Sequence, residues 1–411
     1  MEFKSSPTSS IGIEIELQLL DSDTLDLMDG IIPLLASQPD HPALKPEFNQ
    51  STVEINSKPC ETIRELEADV TSILADLQGR CRDLGMGICG AGTHPFCQRF
   101  ATVTPLPRYL TQHESGGYLA RLMMTFALHV HVGMPSGDEA IATMTDLKPY
   151  LPILLALSAS SPFWWGHDTG YASYRQRILA SMRSYGIPPT FKNWQEFADL
   201  FQSGQKAGMF NIIRDIHWDL RPHPTFGTLE VRVMDSQPTI KESISLAAFV
   251  HSLIIYLQHC RWTGRAGFLL KPCHGWIERE NYFRASHLGL DACYIEDDQG
   301  HSRSFRDIIE DILEALAPTA EQLGEIECLK FLERRLKSGS SYMRQHRVFQ
   351  QTGSQKKVVA ALVRELEADQ FDSTDWLTDK SPEHPLHHQE INFLAHRQSH
   401  LKTTGQEFQS I

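Results

Sequence analysis

Hydrophobic and polar residues alternate cleanly over 11–19. Ile11, Ile13, Ile15, Leu17 and Leu19 share one face, and Gly12, Glu14, Glu16 and Gln18 share the other. A period of two marks a half-buried strand. Over Glu61–Leu84 the period lengthens. Ile63, Leu66, Val70, Ile73, Leu74, Leu77 and Leu84 recur mostly at steps of three and four, which predicts an amphipathic helix ended by Gly85. Met86–Gly92 reads as a short Gly-rich strand or turn, Gly117–Thr125 as helical, and Phe126–Gly133 as a strand in which His129 and His131 alternate with valines. A helix is expected over Asp138–Ser160. Ser161–Arg177 is polar, aromatic and Gly-containing, which suits a functional loop.

A second alternating strand is expected over Phe226–Met234, with Leu229, Val231 and Val233 opposite Glu230 and Arg232. Thr239–His259 predicts a strongly apolar helix with Thr239 as its N-cap, and helical patterns dominate Phe305–Leu336 and Lys356–Ala368. No internal repeat is evident. Strands with one polar face, interleaved with long helices, imply an α+β fold with helices packed on the apolar side of a sheet. One domain is expected over residues 1–370. A polar, histidine-containing extension over 371–411 is expected to be loose or to form an oligomer-contact arm.

The chemistry concentrates on the polar strand faces. Glu14 and Glu16 lie two residues apart on one strand, so their side chains point the same way at about 7 Å. At an effective dielectric near 20 such charges repel by roughly 2.4 kcal/mol, and in a concave site they need an opposing cation. Glu47, Glu54 and Glu230 lie in or near other extended segments, and His131 shares a polar face. Taken singly, an E-x-E pair, an H-x-H pair or an arginine is more often a solvated face or a surface ion pair. Five carboxylates and an imidazole on one sheet face would suit Mg²⁺ or Mn²⁺ better than Zn²⁺. Arg232 shares a face with Glu230, and Arg175 and Arg177 follow the aromatic loop. Guanidinium forks match phosphate oxygens.

The blocks IGIEIEL (11–17), PEFNQSTVEI (46–55), CGAGTHPF (89–96), HVHVG (129–133), SASSPFWWGHDTGYASYR (158–175) and HWDLRPHPTFGTLEVRVMD (217–235) occur in an order and spacing that resembles the glutamate–cysteine ligase 2 family of carboxylate–amine ligases. The likeness covers residues 10–368. It implies a curved, mostly antiparallel sheet backed by helices on one face, as in glutamine synthetase and other glutamate–cysteine ligases. It also implies ATP and Mg²⁺ as cofactors, with Mn²⁺ as the alternative ion, and amide formation through an acyl phosphate. By position it assigns Glu14, Glu16, Glu47, Glu54, His131 and Glu230 to metal, Arg232 and Arg175 to catalysis and phosphate, Arg177 to nucleotide, and His94 and His129 to substrate. It further suggests a homodimer. Ser57 stands where many relatives have threonine, and Gln50 replaces an acid of some relatives, so no metal is expected there. A metal-dependent amide hydrolase and a non-catalytic nucleotide-binding relative are the alternatives.

Composition narrows the partners. The net charge of −13 argues against nucleic acid, which needs a basic surface. Apolar runs such as Leu151–Leu157 are short and interrupted, so no membrane partner is expected. No apolar stretch follows Lys4, and the eight cysteines form no C-x-x-C pair, so a cytoplasmic protein with reduced thiols acting on small carboxylates and amines is the default. Neutralising Glu16 or Glu230 is expected to relieve like-charge crowding and leave the fold intact.

Overall fold

The computed structural model describes residues 1–6, 8–37, 41–264 and 269–370. The extension expected over 371–411 lies outside the described residues. Seven strands form the main sheet: β1 (Ile11–Asp21), β2 (Leu44–Pro46), β3 (Thr52–Asn56), β4 (Met86–Cys89), β5 (Ala127–Gly133), β6 (Leu220–His223) and β7 (Thr228–Asp235). Their order is β6–β7–β5–β1–β3–β2, and β4 takes over from β5 along the second half of β1. All of these pairings are antiparallel.

The alternation read from the sequence sets which face is buried. Ile11, Ile13, Ile15, Leu17 and Leu19 are at most 2% exposed, and Val53, Ile55, Val130, Val132, Leu229 and Val231 join them in one core. Helices Ile63–Asp83, Ile240–Thr263 and Phe305–Leu323 contribute to that core from the apolar side. Helix Ile240–Thr263 is buried on most of its circumference. Two helical stretches, Gly137–Ser158 and Ile240–Thr263, are long and apolar enough to cross a membrane, contrary to the reading that every apolar run is too short. In each, 83% of the apolar window is buried inside the protein, so their apolarity is accounted for by packing.

Two expected helices take other forms. The stretch expected over Asp138–Ser160 is split into Gly137–Leu147 and Leu151–Ser158 by a tight 3₁₀ turn, Lys148–Tyr150. Pro149 and Pro152 each remove an amide donor there. The helix expected from Gly117 instead begins at Pro107 and ends at Arg121, with non-helical backbone at Gly117. Pro107 suits the first helical turn, where its missing N–H has no partner to lose.

The Thr239 cap is present: its Oγ1 accepts the Glu242 amide at 3.0 Å. The cap also seats Glu242 against Arg335 and Arg344, at 2.8 and 3.0 Å, all three side chains buried. Thr239→Ala is expected to lower stability by about 1–2 kcal/mol, and Thr239→Ser to restore most of it. Urea melts of the three proteins check this. Equal midpoints would mean the cap contributes nothing.

Candidate active site

Strand register brings the polar residues into rows. Glu16 faces Glu54 across β1 and β3, Glu14 faces His129 across β1 and β5, His131 faces Glu230 across β5 and β7, and Glu230 faces Arg221 across β7 and β6. A cavity of about 390 Å³ opens over this face. The two halves of the cluster differ in charge balance.

On the β7 side the acid is fully paired. Glu230 is completely buried, and Arg221 grips it with Nε at 2.8 Å and Nη2 at 3.0 Å. Arg232 Nη1 donates to the same carboxylate. Burial alone would raise the Glu230 pKa, but the two guanidiniums outweigh it and hold the acid well below the usual carboxylate range. Glu14 lies 3.0 Å from His129 Nδ1 and 3.4 Å from His131 Nε2. Burial opposes its ionisation too, yet hydrogen bonds to both imidazoles leave it well below its ordinary value. His129 is pushed down to about 4, first by burial and then by Arg232. It is therefore neutral at pH 7, with one ring nitrogen carrying a lone pair, and its Nδ1 also lies 3.4 Å from Arg232 Nη1. His131 moves the other way: burial disfavours its cation, but Glu230 and Glu14 prevail.

On the β3 side the acids lack cations. Glu16, Glu47 and Glu54 make no ion pair within 4 Å among the described residues. Glu16 accepts the Ala127 amide at 2.7 Å, Glu47 the Phe48 amide at 3.1 Å, and Glu54 the Asn56 side-chain amide at 2.6 Å. Burial and then the Glu47 charge push Glu16 up to about 8. Glu54 is raised well above normal by burial and by Glu14, Glu47 and Glu16, and Glu47 is raised chiefly by burial. One donor atom each from Glu14, His129 and Glu230 lie within 4.8 Å of one another, as do those of Glu16, Glu54 and His129. Crowded, unpaired carboxylate oxygens with one nitrogen fit a hard divalent cation.

A β-bulge between Val231 and Met234 completes the wall. Arg232 faces the cavity by ordinary alternation with Glu230, and the bulge shifts the register so that Asp235, three residues on, pairs with Ala127. Arg175 supports the bulge by donating to the Val233 and Arg232 carbonyls at 3.2 and 3.3 Å, and it lies 3.6 Å from Asp235. Asp235 in turn accepts the Ser160 amide and the Ser161 and Ser173 hydroxyls at 2.9, 2.7 and 2.9 Å. The polar loop is thereby tied to the sheet.

Of the residues expected from sequence, Glu14, Glu16, Glu47, Glu54, His129, Arg175 and Arg232 line the cavity, and His131 and Glu230 contact that lining. Two are not brought in. Arg177 lies against the Tyr282 and Phe283 rings. His94 is pinned within its turn, with Nε2 3.0 Å from the Leu25 carbonyl and Nδ1 accepting the Cys97 amide. Gln50 is also outside and donates to the Val103 carbonyl, while the Ser57 hydroxyl accepts the Ile13 amide on the core strand. Sequence reading missed Arg108, Arg214, Arg221, His217 and Tyr185, which line the cavity. Leu-Arg-Pro-His at 220–223 alternates, and that period would have placed Arg221 on the polar face.

A sequence model of glutamate-cysteine ligase family 2 matches residues 10–361. A relative from Trichormus variabilis, provisionally named glutamate–cysteine ligase 2, is 65% identical over 369 residues, 90% of this chain and 95% of its own. One of the same name from Thermobifida fusca is 38% identical over 376 residues, 90% and 93% of the two chains. Among solved structures, a bifunctional glutathione synthetase from Pasteurella multocida matches with a TM-score of 0.67 at 16% identity. That match covers 88% of this chain but only 52% of the synthetase. A glutamate–cysteine ligase from Francisella tularensis in complex with AMP matches with a TM-score of 0.62 at 13% identity, covering 100% and 97%. These two likenesses establish the fold: an antiparallel sheet with helices of the glutamate–cysteine ligase type.

The charge balance corrects one expectation. Glu16 relieves crowding when neutralised, but Glu230 does not, because two buried arginines depend on it. Glu230→Gln is expected to destabilise by about 3–5 kcal/mol, and Glu16→Gln to leave stability unchanged or raised. Chemical denaturation compares them directly; equal effects would refute the asymmetry. A pH dependence follows. A carboxyl whose folded pKa is raised favours the fold below its unfolded value of 4.5, and that contribution is lost as pH rises towards about 8. The stability of chelator-treated wild-type protein relative to Glu54→Gln should therefore fall from about pH 5 to 8, the contribution of the buried histidines being common to both. A difference that stays constant or grows over that range would contradict the crowding.

Proposed function

This chain belongs to glutamate-cysteine ligase family 2, and from that premise we propose that its acid-lined cavity joins a carboxylate to an amine at the expense of ATP. The observation that supports this most directly is the unpaired trio Glu16, Glu47 and Glu54 facing an arginine wall across one cavity. Carboxylates in need of cations beside guanidiniums in reach of anions suit a metal–triphosphate substrate.

Glu16, Glu54 and His129, with the Glu47 charge beside them, form one candidate set of ligands for Mg²⁺, and Glu14, His129 and Glu230 a second. When bound, the ion supplies charge neutralisation between these acids and the phosphate oxygens. The rest is the chain's own work. Arg232, held by buried Glu230, presents a guanidinium whose position is fixed before substrate arrives, so little reorganisation is needed as charge develops. Arg221 fixes Glu230 from the opposite side. Arg175 keeps the bulge in shape and so aims Arg232. Arg108, which donates to the Arg214 carbonyl at 3.2 Å, and Arg214 have no carboxylate partner within 4 Å among the described residues and line the cavity where anionic substrate groups would sit.

In this reading the substrate carboxylate attacks the terminal phosphorus of ATP, forming an O–P bond and releasing ADP. The mixed anhydride lacks the negative charge that repels nucleophiles. The amine nitrogen then attacks the carbonyl carbon, the C–N bond forms, and phosphate leaves. AMP in the Francisella ligase and the names of the relatives support the nucleotide and the substrate pair glutamate and cysteine.

Purified protein with ATP, Mg²⁺ and pairs drawn from an amino-acid panel should release ADP only when both a carboxylate and an amine are present. Glutamate with cysteine is the first pair to try. Chelation should abolish the release, and Arg232→Ala should cut kcat by about 10²–10³. Amide cleavage without nucleotide would instead indicate a metal-dependent hydrolase.

A further inference from the structure

Phe226 is 53% exposed yet firmly held at the mouth of the same cavity. It lies in the turn between β6 and β7. The Phe226 amide donates to His223 Nδ1 at 3.3 Å and the Gly227 amide to the His223 carbonyl at 2.9 Å. From outside the turn, the Lys4 amide donates to the Pro224 carbonyl and the Met134 amide to the Gly227 carbonyl, each at 2.8 Å. Gly227 has φ +71°, and a Cβ there would fall 2.0 Å from the Lys4 carbonyl oxygen, so no other residue fits. The Phe226 ring stacks on buried His223 with centroids 4.0 Å apart and planes within 10°. Burial pushes His223 down to about 4, so this backing ring is uncharged at pH 7.

A fixed aromatic ring left open beside a polar cavity is a surface for another flat group. Its place relative to the charged groups indicates which. The Phe226 centroid is 6.0 Å from that of His131, and His131 Nε2 lies 3.4 Å from Glu14 and 3.9 Å from Glu230. One imidazole thus separates the open ring from the acids assigned to the triphosphate end, a spacing that suits the sugar between a base and its phosphates. The other stacked pair of the wall, Tyr185 on His217 at 4.7 Å, lies within the influence of Arg232, Glu16 and Glu47, at the reacting end.

We propose that Phe226, backed by His223, is the platform on which the adenine base of ATP stacks. This rests on the ligase reading and extends it to the half of the nucleotide that carries no charge. Stacking reads the face of a base and not its edges, so the platform adds affinity without selecting strongly among purines.

Isothermal titration of the whole protein with ATP, AMP and tripolyphosphate, in Mg²⁺, separates the two ends. Phe226→Ala is expected to weaken ATP and AMP by about ten- to a hundredfold, while tripolyphosphate binding stays within about twofold. Phe226→Trp should retain ATP affinity. In turnover, the KM for ATP should rise while the KM values for the carboxylate and amine do not. Wild-type binding of ATP with unchanged binding by Phe226→Ala overturns the platform alone, as does an equal loss for tripolyphosphate or a rise in the amine or carboxylate KM instead. Wild-type protein that binds no ATP overturns the ligase reading and the platform together.

Discussion

Too many carboxylates share one small region of sheet, and the surrounding structure is arranged around that excess. Glu14, Glu16, Glu54 and Glu230 come from three strands, and Glu47 follows a fourth. On one side the excess is resolved within the protein, by Arg221 and Arg232 on Glu230 and by the imidazoles on Glu14. On the other side it is left open, and burial with mutual repulsion raises the pKa values of Glu16 and Glu54, a cost that a cation would relieve. The imbalance is the usable feature. A cluster neutralised throughout would have no affinity left for a metal-bound phosphate chain, and one open throughout would repel itself apart.

The sheet and most of its acids were legible in the sequence because period-two patterning reports both. The core isoleucines of β1 announce the strand, and the residues between them must then face the other way. Glu14 and Glu16 follow at once, and Glu54 and Glu230 by the same logic on β3 and β7. What patterning cannot report is which strands are neighbours. The pairing of Glu230 with Arg221 is a hairpin contact, hidden only because 220–223 is not read as a strand, whereas that of Glu230 with His131 depends on register between segments far apart in the chain. The same holds for His129, which the register sets opposite Glu14 and which joins both ligand groups.

Other misses have local causes. Arg108 sits in the first turn of a helix whose start was placed ten residues too late, because the apolar spacing around Pro107 is weak. Arg177 follows Arg175 by two, but these residues open a short helix, Arg175–Leu179, and there a step of two separates the side chains instead of aligning them. His94 is consumed by its own turn. The bulge in β7 breaks the parity on which the reading of Phe226–Met234 relied, so Asp235, which anchors three groups of the polar loop, went unnoticed.

The register that gathers these side chains spans most of the chain: residue 14 is set beside residue 129, and residue 131 beside residue 230. No shorter stretch contains the parts of the centre. On the proposed ligase reading, the nascent chain therefore has nothing with which to capture nucleotide until roughly its first 235 residues have left the ribosome and β7 has docked. Ligand then arrives as a late, global stabiliser of the completed sheet and not as a template for its early steps.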